Sequence, residues 1–255
     1  WGSSASDVYV CGITNTAAGV LWHYDGNNWQ DVKLAVAEGG TILGSIDLHA
    51  VWGFGPNDVW CVGDRAHDSP DPRFGSERRS LILHFNGRQW QEISHPGGSS
   101  LFSIWGRSPD DVWFGGNVST LFHYNGTTVE KIPNPEMMTA AGDSTWVYAQ
   151  ITGDAHKAYM LVANSNWYPN LLMELIDDTW QIIDNEYIAI LNDLWLSPSG
   201  TLYRVGGVVE RWRQGAWEIL FNDMEQRANG NQLSGASDNN LLLTTIARGR
   251  PAYGR

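Results

Sequence analysis

One unit, W-G-x4-D-V-aromatic, recurs through the chain and constrains its fold more than any other feature. It runs from Trp1-Gly2 to Asp7-Val8-Tyr9, from Trp52-Gly53 to Asp58-Val59-Trp60, and from Trp105-Gly106 to Asp111-Val112-Trp113. Glycine follows each copy, at Gly12, at Gly63 and at the pair Gly115-Gly116. A fainter copy extends from Trp195 through Leu202-Tyr203 to Gly206-Gly207, and a weaker one joins Ser234-Gly235 to Leu241-Leu242. The gap between Trp105 and Trp195 is twice the usual period, and Ile151 with Tyr159 fills it. A period of about 40 to 53 residues indicates one supersecondary unit repeated side by side.

A second motif sits inside each unit. His23-Tyr24-Asp25-Gly26-Asn27-Asn28-Trp29 matches His84-Phe85-Asn86-Gly87-Arg88-Gln89-Trp90, and His123-Tyr124-Asn125-Gly126 continues to Val129 without the tryptophan. Glu174 to Trp180 and Arg211 to Trp217 keep the spacing with the first residue changed. An Asx-Gly pair between apolar runs predicts a hairpin turn, because glycine supplies the positive φ. Each unit therefore reads as four strands, A to D. Strand A ends near Trp-Gly and B carries Asp-Val-aromatic. Strand C ends in His-aromatic, and D starts at the tryptophan.

Four antiparallel strands repeated at this period predict an all-β fold, a β-propeller of four-stranded antiparallel blades. Six blades are expected, with five or seven as alternatives. The units span about 1–46, 47–100, 101–146, 147–190, 191–230 and 231–255, the last holding only strands A and B, in one propeller domain over 1–255. Composition agrees: 14 Trp and 28 Gly among 255 residues suit strands and tight turns.

The paired motifs resemble the propeller repeats of uncharacterised secreted bacterial proteins. They are loosely similar to the Asp-box repeats of sialidase-type propellers, although Asp25 directly precedes Gly26 and the Asp-box spacing is not kept. The resemblance covers nearly the whole chain and implies a fold without a particular activity. Together with only three lysines in the chain, it implies a secreted or periplasmic protein. A first residue of Trp1 rather than Met is expected of a processed or trimmed product.

Comparison between copies also predicts contacts. The start of strand B should lie beside the end of strand C, pairing Asp7 with His23, Asp58 with His84 and Asp111 with His123. In the fourth unit Lys157 and Glu174 occupy these positions with the charges exchanged, as expected if the two sites touch. In the fifth the pair is Thr201 with Arg211. Histidines at equivalent positions of separate blades cannot converge on one ion, so they are read as structural braces and no metal site is expected. Tyr9, Trp60, Trp113 and Tyr203 are expected to pack between blades. Cys11 and Cys61 fall on B strands of adjacent blades, with sheets about 10 Å apart, and read as buried free thiols without a bridge.

A net charge of -12 excludes clustered basic surface for nucleic acid, and no apolar run is long enough to span a bilayer as a helix. No catalytic motif is recognisable and no cofactor is called for. The carboxylate pairs Asp110-Asp111 and Asp177-Asp178 fall at turns, where Asp accepts backbone bonds.

Functional residues are expected on the variable B–C and D–A connections, which leave each blade at the same end. The longest B–C insertion, Asp64 to Arg79, offers Asp71, Arg73, Phe74 and Arg78. The fourth-blade loop offers Asn166, Trp167 and Tyr168, aromatics for stacking on a sugar and amides for its hydroxyls. Met137-Met138 and the acidic run Asn222 to Arg227 flank them. The sequence thus reads as a non-catalytic scaffold that binds a protein or glycan at the B–C/D–A loop face. A carbohydrate-binding propeller using Trp167 and Tyr168 is the alternative, and a glycosidase- or lyase-like enzyme is the third reading.

Overall fold

The computed structural model describes residues 1–14, 19–34, 46–68, 76–118, 120–133, 146–164, 170–186, 191–206, 208–222 and 228–247. All regular structure within them is β, and the chain forms two compact units, Trp1–Ile151 and Thr152–Arg255.

The first unit holds three four-stranded antiparallel sheets. Blade 1 comprises β1 (Gly2–Ser4), β2 (Asp7–Ile13), β3 (Gly19–Tyr24) and β4 (Trp29–Asp31). Blade 2 comprises β5 (Ile46–Gly55), β6 (Asp58–Asp68), β7 (Ser76–Phe85) and β8 (Trp90–Glu92). Blade 3 comprises β9 (Leu101–Ser108), β10 (Asp111–Gly116), β11 (Leu121–Tyr124) and β12 (Val129–Lys131). Blade 4 comprises β13 (Trp146–Gly153), β14 (Ala158–Asn164), β15 (Asn170–Ile176) and β16 (Thr179–Glu186), and the unit boundary falls within β13. In the second unit, blade 5 comprises β17 (Leu191–Leu196), β18 (Leu202–Gly206), β19 (Val208–Arg213) and β20 (Ala216–Asn222). The sixth sheet has two strands, β21 (Ala228–Ser237) and β22 (Asn240–Ala247). Six sheets, the last with strands A and B, match the repeat reading.

Period-two alternation places the core. On β6, Val59 and Cys61 face Tyr9 and Leu21 of blade 1, whereas Trp60 and Val62 face Val112, Phe114 and Phe122 of blade 3. All four β6 residues are essentially inaccessible, so this strand reads as a continuous apolar run. In the second unit Leu194, Leu196 and Leu202 pack with Tyr159, Leu161 and Leu172, while Tyr203, Val205 and Val209 pack with Leu233. Each such side chain contributes about 1.5–3 kcal/mol by leaving water. The glycine after the strand-B motif has a steric reason. A Cβ on Gly63 would collide with the Asp47 carbonyl, and one on Gly116 with the Ser100 carbonyl.

The C–D turns explain the second motif. Gly26, Gly87 and Gly126 sit at φ of 92°, 83° and 87°, a region costly for residues with a Cβ. The preceding Asp25, Asn86 and Asn125 each accept two backbone N–H bonds from the turn. Blades 4 and 5 turn in two residues, Asp177-Asp178 and Gln214-Gly215, all at positive φ in the manner of a type I′ hairpin.

The Asp and His positions meet, and a third residue joins them. His84 stands opposite Trp60 in the ladder, and Asp58, two residues earlier on the same face, reaches across diagonally. Asp58 Oδ1 accepts the Trp60 indole N–H at 3.0 Å and the His84 Nε2–H at 2.8 Å, while the two rings stack at 3.9 Å. Asp111, Trp113 and His123 repeat this with bonds of 2.8 Å and 2.8 Å and stacking at 4.1 Å. In blade 1 Asp7 bonds His23 at 2.6 Å, and Tyr9, lacking an indole N–H, only stacks.

Blade 4 corrects the expectation for its pair. Lys157 and Glu174 form no ion pair; Glu174 stands opposite Tyr159 in the register and accepts its hydroxyl. The buried aromatic has taken over the role of the strand-B charge, and Lys157, just ahead of β14, is exposed. Burial, then the Glu174 charge and hydrogen bond, push the Tyr159 phenol up to about 12. In blade 5 Arg211 likewise stands opposite Tyr203 rather than Thr201, and it bonds Glu218 at 2.6 Å.

Further side chains tie neighbouring first strands together. Ser103 Oγ accepts the Ile151 amide at 2.7 Å, and Asp193 Oδ2 accepts the Leu233 amide at 2.7 Å. Both lie two residues before the strand-A tryptophan. In the second unit Arg204, 3% exposed, bonds Glu210 at 2.6 Å and lies 3.9 Å over the Trp217 ring.

Asp58→Ala and His84→Ala should each destabilise the protein by ~1–2 kcal/mol, and the double mutant by less than their sum. A full sum in denaturant unfolding would show that the two residues do not interact. Because the folded Tyr159 phenol keeps its proton above the ordinary value of 10.0, its stabilising contribution is complete below that pH and lost as pH rises through about 12. Phenolate absorbance should place Tyr159 among the late-titrating tyrosines, and Glu174→Gln should shift its titration downward.

Candidate functional site

The B–C connection of blade 2 is not the loop expected from Asp64 to Arg79. Strand β6 continues to Asp68 and β7 begins at Ser76, with Arg65 opposite Arg79 and Ala66 opposite Arg78. Polar residues without apolar alternation conceal the strand in the sequence. Long side chains pair outside the core instead, as Arg65 does with Glu92 at 2.7 Å. The extension brings Arg78 beside Asp47, His49 and Asp64 at one end of blade 2.

Arg78, on β7, divides its guanidinium between two carboxylates. Nη2 lies 2.7 Å from Asp47 Oδ2 and Nη1 lies 2.8 Å from Asp64 Oδ1. Asp47 starts strand A just after the D–A connection, and Asp64 follows Gly63 on strand B, so both acids reach the end where the variable connections emerge. His49 Nε2 donates to Asp64 Oδ2 at 3.1 Å, and its ring lies 4.8 Å from that of Phe102 on blade 3. Asp64 is 3% exposed, whereas the Arg78 side chain is 38% exposed. The cluster therefore runs from the core to the rim.

Its electrostatics follow from these contacts. Burial pushes the Asp64 carboxyl up, but hydrogen bonds from His49 and Ser100 and the Arg78 charge outweigh it and hold it below the ordinary value. Asp47 Oδ1 is buried and has no hydrogen-bond partner among the described residues. An acceptor in that state costs about 1–3 kcal/mol unless a donor reaches it. Two carboxylates around one guanidinium leave the site an acceptor of positive or N–H-bearing groups. No group of three or more metal-ligating side chains occurs among the described residues.

Of the residues expected to bind, Arg78 is in this cluster. Asp71, Arg73 and Phe74, and likewise Asn166, Trp167 and Tyr168, lie outside the described residues, as do Met137, Met138 and 223–227. Asp47, His49 and Ser100 lie outside both repeated motifs. A usable signal existed, because Asp47 and Ser100 occupy the same position five residues before Trp52 and Trp105, and Asp64 and Asn117 both follow the strand-B glycine.

No protein-family model matches the chain, and no curated protein matches it in sequence. Solved structures do resemble it. YCF48 bound to D1 peptide aligns over 96% of this chain and 74% of that one, with a TM-score of 0.64 at 16% identity. A nidogen/laminin complex aligns over 94% of this chain and 85% of that one, with a TM-score of 0.55 at 12% identity. Aleuria aurantia lectin with Fucα1-6GlcNAc aligns over 100% and 79%, with a TM-score of 0.54 at 10% identity. These likenesses establish the architecture. The chain is a β-propeller.

Because Asp64 is held below the ordinary carboxylate range, its contribution to stability is present above that range and lost as pH falls through the lowered value. Arg78→Ala should remove the guanidinium shared by both carboxylates, raise the Asp64 pKa and move the onset of acid unfolding to higher pH. Acid unfolding unchanged from the parent would show that Arg78 does not stabilise the acids.

Proposed function

We propose that this propeller is a non-catalytic binding scaffold that takes a segment of a protein partner at the B–C/D–A end of blade 2. The observation that carries the reading is the Asp47–Asp64–Arg78–His49 cluster, whose buried Asp47 Oδ1 lacks a donor among the described residues, beside a half-exposed arginine. Such a site suits a donor-rich segment, either backbone N–H groups or a Lys or Arg side chain, and the chain's net charge of -12 draws a basic partner towards it. Propellers of similar fold in complexes with a D1 peptide and with laminin support the reading. Trp167, Tyr168 and Asn166 support the carbohydrate alternative, as does a lectin of similar fold crystallised with Fucα1-6GlcNAc.

The test is a peptide array of graded charge run beside a glycan array, with the parent chain, Asp47→Ala and Trp167→Ala. Binding to basic peptides that weakens about tenfold in Asp47→Ala, equivalent to about 1.4 kcal/mol, supports the scaffold reading. Glycan binding lost in Trp167→Ala, with no peptide bound, replaces it by the lectin reading.

A further inference from the structure

Cys11 lies on β2 and Cys61 on β6, the B strands of blades 1 and 2. A gap of about 10 Å between packed sheets would keep such residues apart if measured between backbones. The side chains close it. Cys61 belongs to the apolar cluster of Tyr9, Leu21, Leu48, Val59 and Leu81, and Cys11 packs against that same cluster from the neighbouring sheet. Both are free thiols, Cys61 fully buried and Cys11 half-buried. The expectation of free thiols without a bridge holds, with Cys11 only half-buried, and both side chains enter the same apolar cluster from adjacent sheets.

We propose that Cys11 and Cys61 form an oxidation-sensitive bridge that locks blade 1 to blade 2 by exchange with a low-molecular-weight disulfide such as glutathione disulfide. The Cys11 thiolate attacks one sulfur of glutathione disulfide, forming a mixed disulfide and expelling glutathione thiolate, which takes up a proton. Cys61 then gives up its proton and attacks the Cys11 sulfur, forming the Cys11–Cys61 bond and releasing the second glutathione. The two protein thiols lose two electrons, and one glutathione disulfide becomes two glutathione thiols.

The order of attack follows from the geometry, since only the half-buried Cys11 is open to the reagent. The electrostatics agree. The hydrogen bond from Cys61 holds the Cys11 thiol below its ordinary value, while that same bond and complete burial push Cys61 well up. Cys11 is therefore the attacking sulfur and Cys61 the resolving one.

The experiment incubates the full chain in glutathione/glutathione disulfide buffers, then alkylates it and measures intact mass and melting temperature. The parent chain should lose both alkylatable thiols with a mass fall of two hydrogens, and melt several degrees higher, reversibly with dithiothreitol. Cys61→Ala should stop at one glutathione adduct on Cys11, and Cys11→Ser should take up none. Two alkylatable thiols persisting in the oxidised parent chain, a stable adduct without the bridge, or a disulfide-linked dimer would each overturn the proposal. The parent chain decides the question even if a variant fails to fold.

Discussion

The structure depends on an aspartate at the head of strand B that joins two strands and an aromatic ring. In blades 2 and 3 its single Oδ1 accepts an indole N–H from its own strand and an imidazole N–H from the next, and the two rings stack beneath it. Because side chains alternate, a slip of one residue would turn the tryptophan to the opposite face and separate all three groups. The triad therefore specifies register as well as adding stability. Once the register is set, the glycine further along strand B meets the strand-A carbonyl that excludes a Cβ, and the Asx-Gly turn closes strand C on D.

The same frame accounts for the blades that depart from it. Tyr159 and Tyr203 keep the buried aromatic at the third position of strand B, and the partner on strand C becomes Glu174 or Arg211. A phenol offers a hydroxyl at the tip of its ring, so the polar contact moves from the strand-B charge to the ring itself. Packing between sheets is retained while the hydrogen-bonding partners change, as expected where burial of a large ring contributes more than one polar bond.

Polar groups gathered at one end of blade 2 follow another logic. Asp47, Asp64 and Arg78 are brought together by a hairpin extended beyond the repeat, and they take charge into a place where blade 3 carries Ser100 and Asn117. A buried charge cluster is weak evidence for stability, because desolvation offsets much of the attraction. Its placement where the variable connections leave the blade is the basis of the binding role proposed for it.

The sequence by itself determined the all-β architecture, the four-strand period, the incomplete sixth sheet and the meeting of Asp with His, because these are local or recur from copy to copy. Trp60, Trp113 and their histidines were legible for that reason. Tertiary structure decided what occurs once. Arg78 could be named from its position in an insertion, but its grip on Asp47 and Asp64 depends on how far a polar hairpin extends, which alternation does not reveal. The contact of Cys11 with Cys61 lies between two sheets, where neither period nor spacing records how far side chains reach. Nearest-neighbour physics repeats along the chain and can be read there, whereas contacts between sheets are set by packing in three dimensions.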